Sequence, residues 1–578
     1  MKPWWERWPS WYDREIVDIE ACQGIVVDEV TKESGRLILD LHYMYNEEKI
    51  RLRVICGAHY PFFPPSIATP GRKLSRHRGA TREHMCFLAH NASGDHDWTP
   101  FSDTVAEMIE TQVPEVLMIS DMAAMGGLNA EELQDREMEV GEPRSVFLFG
   151  ATQGGIIIDD YDIPANVVSG KITWWLKDIH SVFGNAVRGG IYQVYDSHGT
   201  EFVASESKDA LLPRGANYLS ARWLRAEIPE SVEDKSQLWP WLLSAHPVKA
   251  KNIENIARKK GNAVGLLGVA IEEEVTHLSN GVSWIFFLAT KINGKMERIV
   301  VPGLRASQQE MHMRVPELIA MRDKKILIIG LGSIGSPVAI QMARAGVEAL
   351  LLVDKDIVVP GNTVRWALGM NAVGLHKAIA LAEYISQNYP SVNLTAKPMQ
   401  IGHPEASQNE VEDLISMING VDLVIDATAS IEVNQYISSL CKDQGVAYQW
   451  LSTTEGAYGG IIGRILPVEG HGCWMEYFRR LHEENIELPF FKEGDAVIPQ
   501  GCITPTFTGA GIDCEQVGLF AARMALSTLC GNSEGGYPPI NWDVGVFNFR
   551  TESGDLAIGP SWKVYSLSCP KDCPYCGM

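Results

Sequence analysis

Two cysteines occupy sequence surroundings that are typical of reactive thiols. Cys502 lies in the segment PQGCITP (residues 499–505), shortly before a glycine-rich, helix-like run. Cys86 lies in HMCFL (residues 84–88), between a proline-rich turn and a Trp-Thr-Pro segment. A thiolate is the natural attacker of an activated carboxyl group. The surroundings of Cys502 therefore predict that it forms a thioester. The alternative interpretation is that Cys502 is a small buried core residue. For Cys514, inside the helix-like run, the core role is the better interpretation.

A glycine-rich turn offers a place to bind the phosphates of a nucleotide. The apolar strand KILII (residues 325–329) enters a turn that contains Gly330, Gly332 and Gly335, and a helix-like segment follows. Glycines at such a turn let the backbone approach a phosphate, and the start of the helix favours negative charge. Asp354 ends the next strand, where an acid can bind ribose hydroxyls. These residues alone fit an NAD-binding fold equally well.

The residues that follow the glycine turn favour adenylation over hydride transfer. Asp356, Asn362, Arg365 and Lys377 come in this order, and Asp426 ends the apolar strand GVDLVID. When a carboxylate attacks the α-phosphorus of ATP, the departing pyrophosphate needs cations, here Arg365 and Lys377. Mg²⁺ needs an oxygen ligand, here Asp426. The alternative for the two cations is a pair of unrelated surface charges.

This order of motifs resembles the ubiquitin-activating, MoeB and ThiF adenylation fold over residues 312–578. The resemblance implies a thioester-forming cysteine in a crossover loop, which Cys502 matches, and a symmetric homodimer. It also implies the roles of the nucleotide-site residues: Asp354 for the ribose, Asn362, Arg365 and Lys377 for the phosphates, and Asp426 for magnesium.

The N-terminal segment resembles the ubiquitin-conjugating fold over about residues 15–122. The motifs that carry this resemblance are the Tyr60-Pro61-Phe62 turn, the Cys-Phe-Leu segment at Cys86 and the Trp-Thr-Pro segment at Trp98. It implies that Cys86 accepts an acyl group by transthiolation. The usual His-Pro-Asn tripeptide is missing, because SRHRGATREHM (residues 75–85) contains no asparagine. His77, His84 or backbone donors could take its place, although both histidines fit solvated loop positions.

The last cysteines have the spacing of a zinc knuckle. Cys573 and Cys576 form a Cys-x-x-Cys pair followed by glycine, and Cys569 and Cys473 could complete the four ligands that Zn²⁺ prefers. A zinc ion here would be structural. A disulfide or unligated thiols are the alternatives.

The pattern of elements predicts three folded segments that position these residues. They are an α+β ubiquitin-conjugating-like domain (residues 1–122), a mixed α/β middle domain (144–310) and a C-terminal α/β Rossmann-like ThiF adenylation domain (311–578). An acidic linker, residues 123–143, separates the first two. The middle domain shows no chemical motif.

Composition limits the classes of partner. The formal net charge is -22, and no concentrated run of Lys and Arg offsets it. The charge therefore argues against nucleic acid and anionic membranes as main partners. No apolar run reaches the ~18–20 residues of a membrane span, and the first residues lack the features of a signal peptide. The eleven cysteines then predict a reducing cytoplasm.

The order of the segments resembles the fusion proteins of bacterial CBASS antiphage operons. In that family the activated substrate is the C-terminus of a cyclic-oligonucleotide synthase, a nucleotidyltransferase, and the final acceptor is an amine on a target protein. Three alternatives stay open. One is conjugation of a small ubiquitin-like carrier, and the second is adenylation of a sulfur carrier. The third is a nucleotide-binding scaffold without catalysis.

Overall fold

The computed structural model describes most of the chain, and every structural statement below concerns the described part: residues 2–79, 82–87, 98–125, 143–149, 153–179, 186–204, 217–259, 263–276, 279–306, 314–483, 485–494, 496–498, 506–531, 533, 535–569 and 573. This part divides into two compact units. One contains the described residues up to 204 and from 217 to 305, and the other contains the described residues from 306 onward.

The first unit begins with helices packed on an antiparallel sheet. The helices are α1 (Trp4–Arg7), α2 (Pro9–Ala21) and α3 (Val105–Ala124), and the strands, in spatial order, are β1 (Ile25–Glu33), β2 (Arg36–Tyr45), β3 (Glu48–Cys56) and β4 (Ser66–Ala68). Alternate residues of β2 (Leu37, Leu39 and Leu41) are buried against the apolar side of α3, as a sheet with one covered face requires. The side chain of Thr104 caps α3 by accepting from the backbone of Glu107.

A closed barrel forms the rest of the first unit. Its strands, given in chain order, are β5 (Gly155–Ile158), β6 (Ser169–Asp178), β7 (Arg188–Asp196), β8 (Tyr218–Arg225), β9 (Gly265–Thr276), β10 (Ser279–Ile292) and β11 (Lys295–Arg305), and in space they follow the order β10-β11-β5-β7-β6-β8-β9. Helices accompany it: α4 (Arg144–Phe149), α5 (Leu238–Ala245) and α6 (Pro247–Ala257).

Strand β10 shows why the barrel sequence is so apolar. Its side chains from Trp284 to Ala289 are all buried, and they alternate between two clusters. Trp284, Phe286 and Leu288 enter one cluster, and the intervening residues enter the cluster that also contains residues of α5 and α6. A strand covered on both faces has no polar face.

The second unit is built on a twisted sheet. In spatial order its strands are β14 (Asn393–Lys397), β13 (Ala349–Val353), β12 (Lys325–Ile329), β15 (Leu423–Asp426), β16 (Ala447–Thr453), β17 (Gly459–Ile465), β20 (Val544–Arg550) and β21 (Leu556–Tyr565), and the separate strands β18 (Ala496–Val497) and β19 (Thr506–Phe507) pair with each other. The run from β14 to β16 is parallel and the remainder is antiparallel.

Helices connect the strands of this sheet: α7 (Gly335–Arg344), α8 (Lys377–Asn388), α9 (Gln408–Asn419), α10 (Ile431–Gln444), α11 (Trp474–His482) and α12 (Gly511–Cys530). The parallel strands alternate with helices, and β15 is buried along its whole length. The predicted Rossmann-like C-terminal fold is therefore confirmed, as is mixed α/β content.

The remaining predictions on fold concern boundaries and family. The N-terminal segment has the α+β content that was expected, and its ubiquitin-conjugating character stays a prediction. Helix α3 ends at Ala124, and most of the predicted linker, residues 126–142, lies outside the described residues. Among the described helices, none is long and apolar enough to span a membrane.

Candidate functional site

The glycine turn lies at the carboxyl end of β12, where the parallel sheet meets α7. Gly330 has a φ of +85°, and a Cβ atom there would lie 2.8 Å from the backbone nitrogen of Thr428. A Cβ at Gly335 would lie 2.0 Å from the carbonyl oxygen of Gly330. The protein itself thus requires glycine at these two positions.

Gly332 differs from the other two glycines. Apart from its immediate neighbours in the chain, no described residue lies within 4 Å of the place where its Cβ would be. Packing does not require glycine here, whereas a phosphate resting on the turn would. This open cradle at the start of a helix fits the phosphates of a nucleotide.

Asp354 holds the glycine turn in place. It follows β13, and its Oδ2 accepts a hydrogen bond from the backbone N–H of Leu331 (2.6 Å), while Oδ1 accepts from that of Asp356 (2.7 Å). Burial raises the pKa of this carboxyl, and the charge of Lys377 opposes the rise. Asp354 therefore links the two strand ends that would flank a nucleotide.

Asp356 and Lys377 form an ion pair at the same edge. The Nζ of Lys377 donates to Oδ2 of Asp356 at 2.7 Å, and the backbone N–H of Lys377 donates to the Asp356 carbonyl at 2.9 Å. Lys377 is the first residue of α8 and only 9% exposed. The two residues that the sequence assigned to one nucleotide site are thus in contact.

Asn362 and Arg365 belong to one short 3₁₀ turn but have different partners. The side-chain oxygen of Asn362 accepts from the backbone N–H of Val359 (2.9 Å) and caps the turn. Arg365 donates from Nη1 to the carbonyl of Phe507 (2.5 Å) and from Nη2 to Oγ1 of Thr506 (2.6 Å). Arg365 therefore binds strand β19.

Asp426 is completely buried at the end of β15. Its Oδ1 accepts from the backbone N–H (3.0 Å) and the hydroxyl (2.7 Å) of Thr428, and its Oδ2 accepts from the hydroxyl of Tyr448 (3.2 Å). The exposed fraction of Asp426 is 0%, and desolvation raises the pKa of its carboxyl. A metal ion could reach it only by displacing these donors, so its role as a magnesium ligand stays a prediction.

The segment that carries Cys502 joins two paired strands. Residues 499–505, Cys502 among them, lie outside the described residues. On either side, β18 and β19 pair through Ala496 with Phe507 and Val497 with Thr506. Cys514, the competing thiol, is 0% exposed within α12, and burial raises its pKa. Its position is that of a core residue.

Cys86 ends a short hairpin in the first unit. We define the Cys86 hairpin as residues 74–79 and 82–86. Its arms are joined by hydrogen bonds from the N–H of Cys86 to the carbonyl of His77 (2.8 Å) and from Gly79 to His84 (2.8 Å). The Cys86 side chain is exposed. His77 thus lies opposite Cys86, whereas His84 pairs with Ala68 of β4.

The other motifs of the N-terminal domain pack against each other. The indole Nε1 of Trp98 donates to the carbonyl of Pro61 (2.6 Å), and its ring lies 5.6 Å from that of Tyr60. The hydroxyl of Tyr60 donates to Oε1 of Glu15, and Oε2 of Glu15 accepts from the N–H of Val105 (3.0 Å). The predicted turn and Trp-Thr-Pro segment therefore form one structural group.

The C-terminal cysteines are only partly described, because Cys576 lies outside the described residues. The tail pairs with the segment before Cys473: Cys569 N–H donates to Gly470 (3.1 Å), and Gly472 N–H donates to Leu567 (3.2 Å). Within the described part of the chain, no group of three or more His, Cys, Asp or Glu side chains is arranged to hold a metal. Zinc at Cys473, Cys569, Cys573 and Cys576 is therefore unsupported.

Comparison with known proteins identifies the second unit. A sequence profile of the ThiF family matches residues 307–550. These residues form a ThiF-family domain. This family match and the related sequences support a ThiF/MoeB-like, E1-like adenylation domain. The domain contains the glycine turn, Asp354, Arg365, Lys377 and Asp426.

Related proteins extend over different parts of the chain. The Sinorhizobium fredii protein y4oA is 27% identical over 99% of this chain and 97% of its own length. The ATP-dependent ubiquitin transferase-like protein Cap2 of Enterobacter hormaechei is 36% identical, over 19% of this chain and 17% of its own. The sulfur carrier protein ThiS adenylyltransferase of Escherichia coli is 26% identical over 44% of this chain and 86% of its own length.

The structure adds contacts of residues to which the sequence patterns assigned no role. Thr428 and Tyr448 hold Asp426, and the indole of Trp366 donates to the carbonyl of Leu331 in the glycine turn (2.6 Å). Thr428 lies two residues after Asp426, and this spacing is typical of a turn in which the two side chains meet. Tyr448 and Trp366 carry no such signal, because they reach the site through the fold.

Proposed function

We propose that this protein activates the C-terminal carboxylate of a protein with ATP, forms a thioester on Cys502, passes the acyl group to Cys86 and conjugates it to an amine. The observation that carries the proposal is the contact of Arg365 with Thr506 and Phe507. Arg365, expected at the nucleotide phosphates, holds the strand at the base of the segment that contains Cys502. Activation and thiol capture are therefore coupled in one domain.

In the first step, a carboxylate oxygen attacks the α-phosphorus of ATP and pyrophosphate leaves. Backbone N–H groups of the glycine turn bind the phosphates above Gly332, and Lys377 stabilises the charge of the leaving group. Mg²⁺, which the family implies, would neutralise phosphate charge when bound. Exposed Asp356 is the carboxylate better placed to hold it, because Asp426 is buried.

The later steps exchange one acyl bond for another. The Cys502 thiolate attacks the carbonyl of the acyl adenylate, and AMP leaves with the bonding electron pair. The Cys86 thiolate then displaces the Cys502 thiolate. Finally, an amine attacks the thioester on Cys86, loses a proton to solvent and releases the thiolate. Cys86 is exposed, as both exchanges require.

The substrate is a protein with an accessible C-terminus. Cap2 is named as a ubiquitin transferase-like protein and the ThiS adenylyltransferase as acting on a sulfur carrier. We favour conjugation, with a nucleotidyltransferase or a ubiquitin-like carrier as substrate, as in CBASS-type defence. The exposed thiol of Cys86 has no task in sulfur transfer. We further propose a homodimer, which the two-fold symmetry of most oligomers favours.

The test is pyrophosphate exchange with candidate carriers, followed by intact mass spectrometry. A carrier that supports exchange and then adds its mass, minus water, through a bond cleaved by thiol reductants supports the proposal. If pyrophosphate exchange occurs but no adduct forms on either cysteine, the protein would be an adenylating enzyme of the sulfur-carrier type. Absence of exchange with every class of carrier would favour a nucleotide-binding scaffold.

A further inference from the structure

Two further hydrogen bonds tie the start of the Cys86 hairpin, at Leu74, to Arg82 in its turn. The N–H of Leu74 donates to the carbonyl of Arg82 (2.7 Å), and Arg82 returns a bond from Nε to the carbonyl of Leu74 (3.2 Å). Arg78 and Met85 pair across the hairpin. Such a small ladder is too short to be stable alone, so its geometry depends on what surrounds it.

Two carboxylates of the barrel hold the hairpin and the residue that precedes it. Glu274 of β9 accepts hydrogen bonds from Nη1 of Arg76 on both of its oxygens, each at 3.0 Å. Glu230, which follows β8, accepts from Nζ of Lys73 (2.7 Å) and from the guanidinium of Arg82. One glutamate therefore holds the arm that contains Arg76. The other holds Lys73, just before the hairpin, and Arg82 in its turn.

The pair of Arg76 and Glu274 is the stronger of these ties. The Arg76 side chain is 5% exposed and that of Glu274 is 22% exposed, whereas Lys73 and Glu230 are about half exposed. A buried guanidinium has to be paired, and Glu274 contributes to that pairing with both of its oxygens. Arg76 precedes His77, whose carbonyl binds the N–H of Cys86. Glu274 is thus connected to Cys86 through Arg76, the adjacent residue His77 and one hydrogen bond.

We propose that the barrel is a positioning domain for the Cys86 thiol, with Glu274 acting through Arg76 and Glu230 acting through Arg82. Where the sequence lacks the usual asparagine tripeptide, the barrel supplies the rigidity of the active-site segment. This gives the middle segment a function. The proposal rests on the proposed function in one respect, that Cys86 accepts the acyl group.

Strand β9 offers its own control. Glu272, two residues before Glu274 on the same strand, pairs with Arg225 of the neighbouring strand β8 at 3.2 Å, and its side chain is 56% exposed. Glu272→Gln removes the same charge from the same strand and leaves the hairpin tie intact. Glu274→Gln keeps the shape of the side chain and removes the negative charge that contacts Arg76.

The experiment compares these two variants of the full chain by hydrogen exchange and by acyl transfer. In Glu274→Gln we expect the amides of the hairpin to exchange at least about 10-fold faster. We expect transfer from Cys502 to Cys86 to slow by about 10- to 100-fold, as a displacement of about 1 Å would cause. Charging of Cys502 should stay unchanged. Glu272→Gln should match the wild type in all three measurements.

The exchange of both charges, Arg76→Glu with Glu274→Arg, should restore transfer to within a few-fold of wild type. Unchanged hairpin exchange in Glu274→Gln would overturn the proposal, as would faster exchange with normal transfer. If wild-type protein never acylates Cys86, the proposed conjugating function fails. Hydrogen exchange would still decide whether Glu274 holds the hairpin.

Discussion

The guanidinium of Arg365 lies over the ring of Phe507, 4.4 Å from its centroid, and Nη1 of Arg365 donates to the Phe507 carbonyl at 2.5 Å. These residues are 142 positions apart in the chain. Their contact ties the 3₁₀ turn of the nucleotide site to the strand that follows Cys502. A substitution at one of these places should therefore alter the reaction at the other.

Thr506→Val tests this coupling, because it removes one hydrogen bond to Arg365 and keeps the cation. Losing a bond to a charged group costs roughly 1.5–3 kcal/mol. We expect slower thioester formation on Cys502, by about 10-fold or more, with pyrophosphate exchange nearly unchanged. Rapid-quench measurement of both reactions checks this. Equal losses in both reactions would show that Arg365 serves the phosphates alone.

Gly332→Ala tests the phosphate cradle. The Cβ would enter open space, so the free energy of unfolding should change by less than about 1 kcal/mol. ATP affinity should fall by about 10-fold or more, because the methyl group occupies the place of a phosphate. Calorimetry of ATP binding and thermal unfolding measure the two effects. Gly559→Ala, also in open space but on β21, should change neither. Unaltered ATP affinity in Gly332→Ala would contradict the assignment of a phosphate site above Gly332.

Asp426→Asn separates the two roles considered for this residue. Asparagine has nearly the same shape and can still accept from Thr428, so a positioning role predicts the wild-type Mg²⁺ requirement for pyrophosphate exchange. We expect this result, because the carboxylate is fully buried. Asp426→Ala should lower exchange at least about 10-fold by releasing the turn beside Gly330. A large rise in the Mg²⁺ concentration that Asp426→Asn needs would instead identify Asp426 as a metal ligand.

Glu15 makes the stability of the N-terminal domain depend on pH. Burial raises the pKa of its carboxyl from 4.5 to about 7. The protonated form is therefore favoured in the folded state, and its contribution is fully present below pH 4.5 and lost as pH rises through about 7. The whole effect is on the order of 3 kcal/mol.

Hydrogen exchange of the start of α3, corrected for the intrinsic pH effect, should show weaker protection at pH 8 than at pH 5. Glu15→Gln should flatten this dependence, because glutamine is neutral throughout. Asp13→Asn, on the exposed side of the same helix, should leave it unchanged. A pH dependence that survives in Glu15→Gln would assign it to another group.

Local patterns in the sequence were enough to predict the glycine turn and the sheet around it. Residues 325–329 form a recognisable apolar strand, and acids follow the strands that lie next to it. These acids indicate where the parallel strands end, so Asp354, Asp356 and Lys377 could be placed at one site. The closed barrel could not be predicted. The apolar run from Trp284 to Ala289 indicates a buried strand, but it does not specify which strands pair across the barrel.

Long-range pairs were beyond sequence patterns for the same reason. Arg76 and Glu274 are 198 residues apart, and neither lies in a recognisable motif. Each is an ordinary charged residue until the fold buries the arginine. Likewise, burial of Asp426 under Tyr448 follows from the adjacent strand β16. Patterns could identify an acid at a strand end, but they could not show whether its oxygens face solvent.

The relay from Cys502 to Cys86 is the central claim, and intact mass spectrometry of two variants tests it most directly. With ATP and a carrier, Cys502→Ala should form acyl adenylate but no thioester, because adenylation needs no thiol. Cys86→Ala should retain the carrier on Cys502 through a bond that thiol reductants cleave, and should form no conjugate. A Cys86→Ala protein that conjugates as well as wild type would contradict the relay, and so would a Cys502→Ala protein that charges Cys86.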